Sequence, residues 1–229
     1  MTSWRQPRRS PIADPGSGSG AGLNDRDLVR LYWPAELRPA FDALFAIDDA
    51  LAEVVTSSTQ PALGAIRLAW WRETLERLDH NPPPPEPRLQ AVAAELLPRG
   101  ISGKDLAGLE NGWATLLDEQ PDQERVGRRG SILFAMAAAL LGGVDNRLDA
   151  AGRFYATQQV RRLRLVAFEL STEQANSVIG HRFPRALRPL TALARLAARD
   201  FRQAPTIEPE TTPGRALALL SHRLFGTIA

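Results

Sequence analysis

Apolar residues recur three and four positions apart along most of the chain, and prolines and glycines break the pattern into segments. Asn24 reads as an N-cap, with Asp27 in the first turn of a short helix carrying Leu28, Leu31 and Tyr32. Pro34 interrupts that helix. Between Arg38 and Val55 the stripe Phe41, Leu44, Phe45, Leu51 and Val55 predicts a helix with Pro39 in its first turn, where a missing N–H costs nothing. Pro61 opens a second such helix through Leu68, Trp71, Leu75 and Leu78, and Pro82 to Pro85 with Pro87 form a stiff connector. Leu89, Val92, Leu96 and Leu97 mark the next helix, and Ser102 with Asp105 caps one that runs through Leu106, Leu109, Trp113 and Leu117. After a polar loop from Asp118 to Glu124, Gly130 opens a segment that is apolar all round, the pattern of a helix in the middle of a domain, and Gly142-Gly143 ends it. Helices are then predicted over Arg147 to Leu170, Pro184 to Phe201 and Gly214 to Phe225. No segment alternates with strand period and no Asn-Gly hairpin occurs, so the predicted fold is all-α, a single helical-bundle domain over residues 23–229.

Composition narrows the functional classes. Of 229 residues, 44% are apolar and 24% charged, which suits a globular chain that buries a sizeable core. Residues 1–22 are rich in Pro, Gly, Ser and Arg with no periodic apolar face, and are expected to form a disordered arm; no apolar segment follows Arg8-Arg9, which argues against an export signal. The absence of cysteine excludes thiolate metal sites and a cysteine nucleophile, and His80, His181 and His222 lie too far apart for a ligand motif. A pI near 9.6 suggests nucleic acid, but the formal charge is only +2. Arginines interleave with acids along most helices, so nucleic acid is not an expected partner. The expected location is the cytoplasm, with peripheral contact at a membrane.

The acids within the apolar stripes are the candidate chemistry. Asp49 and Glu53 stand four apart on one helix face, one heptad after Asp42, a spacing that can hold Mg²⁺ together with waters and phosphate oxygens. They can equally form an ordinary solvated face. Asp48 falls on the apolar stripe itself, where it is either part of a site or the partner of an arginine such as Arg67 or Arg72 on the following helix. Asp48, Asp49 and Glu53 are therefore the candidate catalytic residues, with Asp49 and Glu53 the candidate metal ligands. Trp70 and Trp71 point about 100° apart on a helix, so one can enter the core while the other lines a groove, with core packing of both as the default expectation. Arg161, Arg162 and Arg164 could receive a phosphate or form a solvated face, and Asp145 and Asp149 read as loop and cap residues. No P-loop, dinucleotide fingerprint, HExxH or GxSxG motif occurs.

Five segments in order, PAFDALFAIDDALAEVV, LGAIRLAWWRETLERL, LENGWATLL, RRGSILFAMAAALLGG and ATQQVRRLRLVAFEL, resemble the squalene/phytoene synthase family, as does RFPRALRPLTALARLAARDF. The resemblance spans roughly Asp27 to Asp200 and implies the all-helical isoprenoid synthase fold. It also implies two aspartate-rich motifs that hold Mg²⁺ against a prenyl diphosphate, which ionises in an apolar cavity. Registering ALFAI on the family's ALYAF places the first acid motif on residues 52–56, where Glu53 is the one carboxylate, and leaves Asp48 and Asp49 one turn early. Leu116 stands where active members carry an aspartate. With Gln159 on the glutamine of QLTNILRDVGED, the asparagine falls on Arg162 and the aspartates on Val166 and Leu170, leaving Glu169 as the surviving acid. The resemblance therefore implies a divergent, non-catalytic or repurposed member, similar to the branch that includes the complex I assembly factor, binding an isoprenoid-like ligand or a protein partner. Arg67, Trp70, Gln159 and Arg162 are the candidate substrate-binding residues. No cofactor is expected of such a member. An active enzyme would need Mg²⁺ and a prenyl diphosphate, with Asp48, Asp49 and Glu53 facing Asp145 and Asp149. The third reading is an unrelated helical interaction protein.

Overall fold

Residues 24–169 and 172–229 are described in the computed structural model; the expected arm over 1–22 lies outside them, and so does Leu170. Asn24 starts α1 (Asp25–Arg30) with a reciprocal cap: its side chain accepts from the Asp27 N–H and Asp27 accepts from the Asn24 N–H. A 3₁₀ turn after Pro34 leads into α2 (Arg38–Ser57), whose buried face holds Phe41, Leu44, Phe45, Ile47, Leu51 and Val55. The helices α3 (Pro61–Arg77) and α4 (Pro87–Glu95) follow, each with a proline in its first turn. In α3, Trp71 is buried while Trp70 is 45% exposed, so the adjacent indoles divide between core and surface.

The segment expected as one helix from Ser102 to Leu117 resolves into α5 (Gly103–Ala107), α6 (Glu110–Ala114) and a 3₁₀ turn over Thr115–Leu117. Glycines at 103, 108 and 112 weaken a continuous helix there. Two other boundaries also move. The helix expected to open at Gly130 begins earlier, as α7 (Gln123–Leu141), because Asp122 accepts from the N–H groups of Glu124 and Arg125. The helix expected to reach Leu170 ends as α8 (Leu148–Arg162). Arg164 takes a left-handed conformation at φ 58°, and the Leu165 N–H reaches back to the Val160 carbonyl, closing the helix as a glycine commonly does. Apolar residues continue past that point and pack on the core as loop, which is why the pattern overran the helix.

The most extensive helix packing is between α7 and α8. It depends on two glycines facing each other: a Cβ on Gly130 would lie 2.0 Å from the Gly152 carbonyl oxygen, and one on Gly152 would lie 2.3 Å from that of Gly130. A glycine inside a helix costs roughly 1 kcal/mol against alanine, and here it permits direct contact of two backbones. The chain continues through α9 (Thr172–Asn176), α10 (Arg188–Arg202) and α11 (Pro213–Phe225). Among the described residues there is no strand, and no helix is long and apolar enough to cross a membrane. The expectation of an all-α fold agrees with this, and the buried apolar side chains of the described residues form one cluster.

The C-terminus folds back on the loop before α10. Gly180 and Phe183 donate to the carbonyls of Ile228 and Gly226, and Arg188 caps the last carbonyls of α11. His222 is buried beneath this closure, its Nδ1 donating to the Thr227 carbonyl, which leaves Nε2 beside the Thr191 hydroxyl at 2.9 Å. The burial pushes the His222 imidazole down to about 4.

Two predictions follow from this packing. Gly130→Ala should destabilise the protein by about 3 kcal/mol or more, since backbone cannot yield as a side chain can. That corresponds to a melting temperature lower by roughly 6–12 °C in a domain of this size, and an unchanged thermal unfolding curve would contradict the contact. For His222, an unfolded imidazole titrates near 6.5, so the unfolded chain gains a proton that the fold refuses as pH falls from about 6.5 to about 4. The stabilisation is present above that window and lost through it, to roughly 3 kcal/mol. Urea unfolding as a function of pH should show this loss in the wild type, and His222→Gln should lack it.

Candidate functional site

Asp48 is wholly buried on the inner face of α2. It accepts hydrogen bonds from Arg129 Nη1 of α7 at 2.6 Å and from Trp113 Nε1 of α6 at 2.8 Å, with Gln159 Nε2 of α8 at 3.5 Å. Arg129 is equally buried, donates from Nη2 to Gln159 Oε1 at 2.8 Å, and lies with its guanidinium 4.0 Å from the Trp113 ring centroid. The reading of Asp48 as an arginine's partner is thus correct in kind and corrected in identity, for the cation comes from α7 and not from Arg67 or Arg72 of the next helix. Gly112 makes room for it, since a Cβ there would meet the Arg129 Cβ at 2.4 Å. From sequence Trp113 reads only as part of an apolar stripe, and Arg129 carries no assigned role. The available signal was an arginine in the run leading into the most apolar helix of the chain.

The other candidate acids are engaged one at a time. Asp49 pairs with Arg26 of α1, Glu53 with Arg88 of α4 at 3.1 Å, and Asp42 with Arg30 at 2.6 Å. Asp145 sits 3.0 Å from His181 and caps the turn into α8, while Asp149 pairs with Arg153. These acids do not converge. Among the described residues no group of three or more His, Asp or Glu side chains could hold a metal ion. A donor set in which each carboxylate is already engaged by a separate side chain does not fit a Mg²⁺–diphosphate cluster. Arg67 reaches Ser57 at 3.4 Å, and Trp70 borders a shallow surface pocket with Pro82 and Pro84, so these two substrate-binding candidates lie apart from the others.

Asp49, Gln159 and Arg162 do meet, around a cavity of about 400 Å³ between α1, α2, α8 and α10. Its apolar wall comes from Ala52, Leu163, Leu193, Leu196, Ala197 and Ile207, and Tyr155 and Gln158 of α8 complete it. Glu53, Arg67, Trp70, Asp145 and Asp149 take no part in the lining. The volume lies at the lower end of small-molecule sites, ~300–1,000 Å³.

One rim of the cavity is an ion-pair network that ties the first helix to the last. Arg215 of α11 is buried, donates to Asp25 at 2.7 Å and pairs with Asp200 of α10. Arg162 reaches both oxygens of Asp200 at 3.3 Å and Glu210 at 3.4 Å, and Arg161 donates to the Asp200 carbonyl at 2.6 Å. The solvated-face reading of the arginine triplet is therefore corrected for Arg161 and Arg162, which bind α10. Burial raises the Asp25 carboxyl, while Arg199 beside Glu208 lowers that carboxyl to about 2. On the α1 side, burial opposes the charge of Arg26, but Tyr155, Asp49 and Asp48 outweigh it and hold the guanidinium above the usual arginine range.

Comparison with curated proteins finds a relative at 32% identity over 113 residues, the bovine (Bos taurus) protein named NADH dehydrogenase (ubiquinone) complex I, assembly factor 6. The match covers 41% of this chain and 33% of the relative, so the chain spans about a third of that protein's length. No family model and no solved structure matches the chain. The likeness found is to the assembly factor, and no finding reaches the squalene/phytoene synthase family itself.

The Asp48 cluster makes a direct prediction. Arg129→Met strands a buried carboxylate and should cost about 3–5 kcal/mol in urea unfolding. Adding Asp48→Asn removes the stranded charge and keeps an acceptor for Trp113, so the double variant should recover more than half of that loss. Additive losses in the double-mutant cycle would show that the pair is not coupled.

Proposed function

We propose that this chain is a non-catalytic helical binding protein that acts in the manner of an assembly factor, on a shell of the squalene/phytoene synthase kind. The observation that carries the reading is the state of Asp48. An acid on the inner face of α2, adjacent to a cavity, would be the natural member of a metal site, yet its oxygens are taken by Arg129 and Trp113 with Gln159 close by. Arg162 supports the same reading, because it brings positive charge to the cavity wall at the position where the family register calls for a metal-binding asparagine. The assembly-factor likeness supports a protein partner, and by extension one belonging to an NADH dehydrogenase complex under assembly.

Deleting the gene in its own host should lower the assembled, in-gel active NADH dehydrogenase complex, and the wild-type gene should restore it. The variant Glu53→Gln, outside the cavity lining and at the one family position that keeps a carboxylate, should restore it equally, within about twofold, because that carboxylate is not asked to hold a metal. Failure of folded Glu53→Gln to restore the complex would refute the non-catalytic reading. So would Mg²⁺-dependent release of pyrophosphate from farnesyl diphosphate by the purified protein.

A further inference from the structure

We propose that the cavity between α1, α2, α8 and α10 binds an uncharged amphiphile, an aliphatic body with a hydroxyl head held by the Gln158 amide, and that it discriminates against phosphorylated forms of the same molecule. The inference deepens the non-catalytic reading and rests on it. Gln158 lines the cavity, is only 4% exposed, and its Oε1 is buried without a hydrogen-bond partner. Leaving a buried amide oxygen unbonded costs about 1–3 kcal/mol, and turning the amide over, which exchanges its oxygen and nitrogen, presents that acceptor to a group in the cavity. An amide offers one acceptor and two donors, which complements a hydroxyl that both gives and takes a proton. One water could serve a single amide, but it takes up only ~30 Å³, against a cavity of about 400 Å³ walled in part by Leu193, Leu196 and Ile207.

The charges of the wall decide the head group. Its guanidinium groups, Arg26, Arg162 and Arg215, are each held by carboxylates that themselves line the cavity. Four wall carboxylates, Asp25, Asp49, Asp200 and Glu210, stand against those three cations, so each guanidinium is already charge-paired and the formal balance is negative. An anionic head would compete with those carboxylates inside a wall of net negative charge, whereas a hydroxyl competes with none of them.

Calorimetric titration of the full chain with 1-decanol and with decyl phosphate tests this, because the two probes share a body and differ in the head. Decanol should bind at least tenfold more tightly than decyl phosphate, and added Mg²⁺ should not reverse the order. Gln158→Leu should weaken decanol at least tenfold. Ala52→Leu, which narrows the apolar wall and keeps the amide, should weaken it too, and provides the test if the first variant does not fold. Absence of decanol binding, equal or tighter binding of decyl phosphate, or unchanged decanol affinity in folded Gln158→Leu would each overturn the proposal. Pyrophosphate release from farnesyl diphosphate is read separately and reports on the non-catalytic reading, so the two can fail independently.

Discussion

The ion pair between Asp48 and Arg129 is the constraint around which four helices are set. Removing two charges from water costs several kcal/mol per ion, and the cost is offset only when geometry and hydrogen bonding are nearly complete. Here the carboxylate is held by a guanidinium and an indole, with an amide near, while the guanidinium also rests on the indole face and bonds the amide. Each partner comes from a different helix, α2, α6, α7 and α8. A shift of α2 or α7 by a turn would leave a buried charge unpaired, and a shift of α6 or α8 would strip the pair of a hydrogen bond, so the cluster ties the register of all four. The glycines at 112, 130 and 152 serve the same arrangement, letting α6 and α8 approach α7 closely enough for the side chains to meet.

A second set of charges closes the other side of the molecule. Arg215 joins α11 to α10 and to the beginning of α1, and Arg161 and Arg162 join the end of α8 to the same carboxylate-bearing helix. The cavity lies between the two networks, with Gln159 belonging to both the Asp48 cluster and the cavity wall. Its polar rim is thus made of groups already committed to holding helices together. That explains how a pocket so rich in charged residues can have each of its cations paired, and why its unsatisfied Gln158 amide stands out.

Much of the fold was legible because its signals are local. The caps at Asn24 and Ser102 and the first-turn prolines at 39 and 61 stand where their residue types predict, whereas the default of core packing for both Trp70 and Trp71 fails at Trp70, which is exposed. The misplaced boundaries have a common physical cause. Apolar periodicity reports burial, and burial continues through Leu165 and Val166 after the helix has ended at a left-handed arginine. In the reverse case, Gly130 looked like a boundary because glycine disfavours helices, while its actual use is to admit the backbone of α8.

From residue types and spacing alone, the chain's all-α character, its main helices and the unusual placement of Asp48 were determined, because each depends on neighbours within a turn or two. What Asp48 does was decided by tertiary structure. Its cation lies 81 residues away and Trp113 lies 65 away, and the pair between Asp25 and Arg215 spans 190 residues. No helical periodicity relates such positions. Whether an acid on an apolar stripe binds a metal or neutralises an arginine depends on which side chain the packing of glycine-lined helices brings against it, and that is settled only when the helices meet.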